Sequence, residues 1–224
     1  MDPLVDLSRQ MLPPLLRGAR VTLELTVVSA ALALPLAFLA GLSRLSRSRV
    51  LRAVTTLYVE VFRGTSALVQ LFWFFFALPF LGVTLKPFTA GVLALSLNTG
   101  AYASEVVRGA VRSIAKEQTE AATALNLTSW QSMRYVVLPQ AWIVMLPAFG
   151  NSIIELLKVT ALVSLVTLQD LSFQAQVFTQ SRGHTIEVYA LLLVLYFALA
   201  SPFTALVRRA ERRSRWAGYG EGRS

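Results

Sequence analysis

The sequence predicts an all-α integral membrane protein with five transmembrane helices and a helix–turn–helix in a cytoplasmic loop. Hydrophobic residues make up 55% of the 224 residues and charged residues only 15%, whereas about a quarter of a soluble domain is charged. The charged residues are also segregated, which leaves long stretches with almost no charge. Several stretches reach the roughly 20 apolar residues that a helix needs to cross a bilayer core.

Five segments have the length and apolarity of a span. In order they are Val21–Ser43, Gly64–Leu85, Phe88–Val107, Trp142–Leu168 and Val188–Val207. A more polar helical segment, Ala53–Phe62, precedes the second span. We therefore expect one transmembrane domain over residues 21–207, between an N-terminal segment, residues 1–20, and a basic tail, residues 208–224.

The basic residues predict how the chain is oriented. An odd number of spans places the two termini on opposite sides of the membrane. Fifteen Lys and Arg residues lie on the side of the C-terminal tail and five on the other side. Because Lys and Arg accumulate in cytoplasmic loops, we expect a cytoplasmic C-terminus and an extracytoplasmic segment 1–20. The net charge of +9 is thus a membrane feature and does not predict a nucleic-acid partner.

The composition excludes several classes of enzyme. The chain has no cysteine and one histidine, His184, which argues against thiolate chemistry and a histidine-rich metal site. It also lacks the Gly-x-x-x-x-Gly-Lys-Ser/Thr loop that cradles nucleotide phosphates. We predict no catalytic residue, metal or cofactor in this chain, so any ATP-driven step needs another polypeptide.

The connection between the third and fourth spans, residues 108–141, is much longer than a turn and is helical in character. Glu117–Leu125 is rich in helix-forming residues, with acids in its first turns. Asn126 suits the left-handed position that closes a helix. Residues Ala121, Ala122 and Leu125 give this helix a small apolar face of the kind that docks in a partner's groove.

A second helix follows within the same loop. Thr128 and Gln131 have the spacing of a capping box, and the helix is predicted over Ser129–Val137. We expect it to end before Pro139, because proline disfavours helical backbone at the preceding residue.

These residues resemble the EAA signature of ABC-type importer permeases, through the run Glu120–Asn126 and the later pair Leu138-Pro139. The runs Phe62–Thr65, Ala101–Gly109 and Glu155–Leu165 look like the polar amino acid subfamily. Residues 62–72 and 173–176 look closest to permeases for ectoine and hydroxyectoine. The resemblance covers roughly residues 15–207. Two departures from the family pattern are Asn126 and Glu117, each in the place of a usual glycine.

The resemblance implies a multi-pass subunit of the bacterial inner membrane that moves a polar amino acid or a compatible solute such as ectoine. It implies an ATPase dimer that uses ATP and Mg²⁺, a second permease copy or a paralogue, an extracytoplasmic solute-binding protein, and contact with membrane lipid. The residues it assigns to ATPase coupling are Glu120, Ala121, Ala122, Leu125 and Asn126. The alternatives are a permease for histidine, glutamine or arginine-type amino acids, and, from another class, a secondary carrier driven by an ion gradient.

Polar residues within the spans are candidates for a solute path or gate, since ionisable groups in a membrane usually face a partner or water. Glu155 and Lys158 lie three residues apart on one helical face, a spacing that fits either a gate or an internal ion pair. Asn98 and Asn151 line a path or bond neighbouring helices. Asp170 marks either a solute entrance or a solvated helix end.

Overall fold

A computed structural model describes the backbone of residues 3–216 and the side chains of residues 10–209. Within this range the chain is all-helical, with no strand. The elements are α1 (Pro3–Ser43), α2 (Arg49–Gly64), α3 (Ala67–Phe72), α4 (Pro87–Ser113), α5 (Lys116–Ala124), α6 (Ser129–Ser132), α7 (Leu138–Val159), α8 (Leu171–Arg182) and α9 (Thr185–Trp216). Short π and 3₁₀ segments extend α3, α6 and α7.

The first helix is longer than the predicted span. It passes residue 20 without a break, although Pro13 and Pro14 lie inside it. Met11 and Leu15 are buried in a cluster with Leu171 of α8 and Val188 of α9. This packing explains the extra turns, because the early residues of α1 have their own apolar surface to cover.

The predicted lead-in segment and the second predicted span are two helices joined by a sharp bend. The axes of Arg49–Gly64 and Ala67–Leu81 differ by 103°. Thr65 is extended, and the Ser66 hydroxyl caps α3 by accepting from the backbone N–H of Leu68. The predicted lead-in helix 53–62 lies inside α2. The change from a polar to an uncharged sequence therefore coincides with the bend after Gly64.

Helix α4, which contains the predicted third span, lies at the centre of the fold. It contacts α1, α2, α3 and α7. At its closest contact with α1, a Cβ on Gly41 would lie 2.7 Å from the carbonyl oxygen of Ser104. The two helices therefore pack with small residues at their interface, as membrane helices often do.

Three helices of the described chain are long and apolar enough to cross a membrane, and a fourth is added if the bent pair is one span. They are Gln10–Ser43, Ser129–Val166 and Thr185–Arg209, with Arg49–Gly64 plus Ala67–Leu81 as the bent pair. α4 is not among them. Neighbouring helices cover α4, so it exposes little surface that lipid would need to solvate, and its small and polar residues lower its hydropathy.

The prediction that a loop helix ends before Pro139 is wrong. Helix α6 continues through a π-helical turn, Met133–Val137, into α7. The amide of Leu138 bonds to the carbonyl of Met133 across this turn. Pro139 is the second residue of α7 and directly follows this π-helical turn, whose shifted hydrogen bonds accommodate a residue without an N–H. The fourth predicted span therefore belongs to one long helix that starts at Ser129.

Helix α8 was not predicted. Asp170 caps it by accepting from the backbone N–H groups of Ser172 and Phe173, at 3.2 and 2.9 Å. The Asp170 side chain is fully buried, so the predicted solvated helix end is wrong. The close contact with α1 at Gly18, where a Cβ would lie 2.6 Å from the Asp170 carbonyl, explains this burial. Most of the predicted basic tail, residues 210–224, lies outside the described side chains.

Candidate solute cavity and coupling loop

A cavity of about 270 Å³ opens beside the α2–α3 bend. Three elements form it: the bend, the middle of α4 and the second half of α7. Its polar lining includes Thr65, Ser66, Asn98, Tyr102, Ser152 and Glu155. It is a polar cleft that opens at the surface of the described chain, where Thr65, Ser66, Tyr102 and Glu155 are exposed.

Two amide side chains hold the bend open. The two N–H bonds of the Gln70 amide are shared among three acceptors: the carbonyls of Phe62 and Thr65, at 2.8 and 3.2 Å, and the Thr65 hydroxyl, at 2.7 Å. The Asn98 amide also donates to the Phe62 carbonyl, at 3.0 Å. These donors satisfy carbonyls at the end of α2 that a continuous helix would have bonded internally.

Sequence reasoning did not single out Gln70, although a signal was present. Gln70 is a polar residue within the uncharged core of the second predicted span, and it is 7% exposed in the structure. A buried amide in an apolar segment needs hydrogen-bond partners, and a break in the helix supplies them.

The cavity carries two kinds of polar group with opposite preferences. The Glu155 carboxylate lies on the α7 side and favours a cation. Thr65, Ser66 and the start of α3 at Ala67 lie on the other side. The positive dipole end of a helix start favours an anion. A small molecule with separate positive and negative groups matches this pair.

Glu155 and Lys158 do not form the predicted ion pair. Among the described side chains, no contact within 4 Å joins the two. Lys158 instead lines a larger groove between α7 and α9, beside Tyr196 and Arg208. Residues three apart on a helix are offset by about 60° around its axis, so the two side chains enter different spaces.

The other predicted path residues separate in the same way. Asn98 shares the cavity with Glu155. Asn151 is exposed on α7 and is not among the residues that line the cavity. Asp170 is the buried cap of α8 described above, and burial raises the pKa of its carboxyl to about 6, against the bonds from Phe173 and Ser172 that lower it. The structure thus brings together two of the five candidates.

The local geometry predicted for the loop is confirmed. Asn126 has a φ of +58°. Its N–H bonds to the Thr123 carbonyl, and the N–H of Leu127 bonds to the Ala122 carbonyl, at 2.9 and 3.0 Å, which is a Schellman ending. The predicted capping box is also present in both halves. The turn therefore fixes α5 firmly relative to α6.

The predicted coupling residues have different environments. Leu125 is 76% exposed, whereas Ala122 is only 2% exposed. Glu120 and Ala121 are exposed on α5. Ala122 therefore packs against its own chain, while the apolar side chain of Leu125 is left mostly uncovered by the rest of the described chain.

Comparison with known proteins gives a consistent result. The family described as binding-protein-dependent transport system inner membrane component matches residues 33–216. A probable amino-acid ABC transporter permease of Sinorhizobium fredii is 45% identical over 93% of this chain and 90% of that relative. The glutamine transport system permease of Escherichia coli is 37% identical over 90% of this chain and 93% of that relative.

A solved structure of an amino acid ABC transporter with histidines has a TM-score of 0.88 and 33% identity, and covers 95% of this chain and 99% of that chain. The all-helical fold and the resemblance to ABC-type importer permeases are thereby confirmed. The chain belongs to the family of binding-protein-dependent transport system inner membrane components.

Proposed function

We propose that this chain is the permease subunit of an ABC importer for a polar amino acid. The observation that carries the proposal is the cavity in which Glu155 lies across from the start of α3. An α-amino acid carries an ammonium and a carboxylate on one carbon. Its ammonium would pair with Glu155, and its carboxylate would lie at the first turn of α3, where the helix dipole favours negative charge.

The relatives support this substrate class. One is a glutamine permease, one a probable amino-acid permease, and the solved structure is an amino acid transporter with histidines. Glutamine and histidine are therefore the first solutes to test, together with arginine, which the sequence resemblance also suggested. All share the zwitterionic head group that the cavity would bind.

Ectoine and hydroxyectoine remain the narrower expectation from the sequence. Residues 62–72 form the α2–α3 bend, whereas residues 173–176 lie in α8, away from the cavity lining. Ectoine also carries a carboxylate and a cationic group, so the two polar ends of the cavity would accept it. The relatives named above are amino acid transport proteins by name, and they support the amino acid proposal.

The transport unit would contain more than this chain. In the proposed arrangement α1, the α2–α3 pair, α4, α6–α7 and α9 are the five spans, with the N-terminus outside and the C-terminus in the cytoplasm. A second permease, identical or paralogous, completes the path, and an extracytoplasmic binding protein delivers solute. A separate ATPase dimer binds α5 and the turn at Asn126 and hydrolyses Mg-ATP, since this sequence lacks the Gly-x-x-x-x-Gly-Lys-Ser/Thr loop that cradles nucleotide phosphates.

ATP hydrolysis by the assembly tests the proposal. The permease, reconstituted with its ATPase and binding protein, is supplied separately with L-glutamine, L-histidine, L-arginine and ectoine. We expect at least one of the amino acids to raise ATP hydrolysis. A response to ectoine alone would contradict the amino acid assignment, and uptake by the chain without ATPase would favour a secondary carrier.

A further inference from the structure

Glu105 is the centre of an ion cluster that joins three helices. Arg44 at the end of α1 and Arg63 of α2 both donate to its Oε1 atom, Arg63 at 3.1 Å. Arg108 of α4 donates to Oε2 through Nε and Nη2, at 2.9 and 2.6 Å. The Arg44 side chain is only 9% exposed. Charge-assisted bonds to a shielded group are the stronger kind, so the cluster fixes α1 and α2 to one point on α4.

Arg63 connects this cluster to the wall of the cavity. Its guanidinium lies over the ring of Tyr102, 5.4 Å from the centroid. The Tyr102 hydroxyl donates to the Arg63 carbonyl at 3.3 Å. Tyr102 lines the cavity, as does Thr65, two residues after Arg63 in the bend. One arginine thus contacts both the ion cluster and the side of the cavity formed by the bend.

Helix α4 extends from the cavity to the loop that precedes α5. Asn98 and Tyr102 are one turn apart, Glu105 follows about one turn later, and α4 ends at Ser113. At about 1.5 Å per residue, the distance from Asn98 to Ser113 is about 22 Å. Helix α5 begins at Lys116. A displacement of α5 therefore acts on the end of a helix that contributes to the cavity.

We propose that Arg63 and Glu105 are positioning residues that make the α2–α3 bend move with α4. The inference rests on the proposed function, in which α5 is displaced by the ATPase. Through the cluster, that displacement moves the bend and the start of α3 relative to α7 and Glu155. The two ends of the cavity, one for the solute carboxylate and one for its ammonium, then change their separation during the ATP cycle.

The first test separates coupling from stability. Arg63→Gln removes the charge and the planar stack, and Arg112→Gln, on an exposed position of α4, is the matched control. In the reconstituted assembly we expect R63Q to leave basal ATP hydrolysis, measured without binding protein, within about twofold of wild type. The stimulation of hydrolysis by binding protein loaded with L-glutamine or L-histidine should fall about fivefold or more. R112Q should match wild type.

Arg63→Lys distinguishes the two contacts of Arg63. Lysine keeps the charge for Glu105 but lacks the planar guanidinium, so we expect an intermediate loss of stimulation. Equal stimulation in wild type, R63K and R63Q would overturn the inference. A loss of basal and stimulated hydrolysis to the same extent in R63Q would also overturn it, since that result indicates a structural role alone.

A second test does not depend on the solute. The chain has no cysteine, so Val69→Cys on α3 and Val144→Cys on α7, both exposed, can carry spin labels in the full assembly. We expect a non-hydrolysable ATP analogue to change the distance between the labels, and R63Q to abolish most of that change. An unchanged distance in the parent, or the same change in R63Q, would refute the inference. A normal change without a response to any amino acid would refute the substrate assignment only.

Discussion

The amide nitrogen of Asn98 on α4 donates to the Gln70 Oε1 atom on α3, at 3.2 Å. Both side chains also donate to the Phe62 carbonyl at the end of α2. These bonds replace the internal ladder that a straight helix would have had at this place. The sharp bend beside the cavity is therefore a specified feature, held by two amides from different helices.

Replacing Asn98 should destabilise the fold. Asn98→Ala leaves the Gln70 oxygen without this donor and removes one donor to the Phe62 carbonyl, and an unsatisfied buried polar group costs about 1–3 kcal/mol. Thermal unfolding of the purified chain in detergent measures the effect. Ser96→Ala is the control, because that hydroxyl bonds only to the Leu93 carbonyl of its own helix. Equal losses in the two variants would contradict the assigned role of the amide.

Glu155 and Lys158 should respond differently to removal of their charge. Glu155→Gln removes the carboxylate from the cavity, so we expect about a tenfold or greater rise in the concentration of solute that half-saturates uptake, in line with the loss of a charged hydrogen bond. Lys158→Gln changes the separate groove and should leave that concentration nearly unchanged. Uptake of labelled L-glutamine or L-histidine measures this concentration in both variants. A larger rise in K158Q than in E155Q would refute the assignment of the cavity.

Leu125 gives a cleaner test of ATPase coupling than Ala122 does. Because Ala122 is buried within the chain, a charge there would also damage the fold. Leu125 is exposed, so Leu125→Asp should leave insertion and unfolding temperature unchanged while it abolishes binding of the ATPase and ATP-driven uptake. Leu125→Met keeps an apolar side chain and should retain both. Normal co-purification of the ATPase with L125D would show that this side chain does not dock.

The close contact of α1 with α4 should not tolerate a larger residue. In Gly41→Val the Cβ would lie 2.7 Å from both the Ser104 oxygen and the Val107 Cβ, and overpacking costs about 1–3 kcal/mol. Gly109→Ala on α4 is the control, since nothing lies within 4 Å of a Cβ at that position. A lowered unfolding temperature is expected for G41V alone. If G109A is as unstable, the contact is not the cause.

Asp170 should give the fold a pH dependence. Its pKa is about 6 in the folded chain against an ordinary 3.8, so the folded state binds its proton more tightly. Stability from this group is thus greatest below pH 3.8 and is lost as the pH rises to about 6. Asp170→Asn keeps a capping acceptor but cannot titrate. Between pH 4 and pH 6.5, the unfolding temperature of wild type should fall relative to that of D170N. A difference between the two that does not change with pH would contradict the raised pKa.

Local rules predicted the loop well because its geometry depends on neighbouring residues. The left-handed Asn126 and the capping box of Thr128 follow from side-chain and backbone chemistry within one turn. The prediction that the loop helix ends before Pro139 fails for a related reason. Its steric rule assumes a regular helix, and the π-helical turn at 133–137 relieves the constraint by shifting the hydrogen bonds.

The cavity was harder to predict because distant segments form it. The rule that polar residues in apolar spans face a path predicts two of its lining residues, Asn98 and Glu155. The same rule could not separate Glu155 from Lys158, since both are charged residues of one helix. Their separation depends on where α4 and α9 pack against α7, which no local pattern contains.

The most direct test of the central claim is ATP-driven uptake by the reconstituted assembly. Proteoliposomes that contain the permease, its ATPase and ATP on the ATPase side are supplied with binding protein and labelled L-glutamine, L-histidine or L-arginine outside. We predict that one of these amino acids accumulates only when ATPase and ATP are both present, and that L125D prevents it. Accumulation by the permease alone, driven by a proton or sodium gradient, would contradict the account.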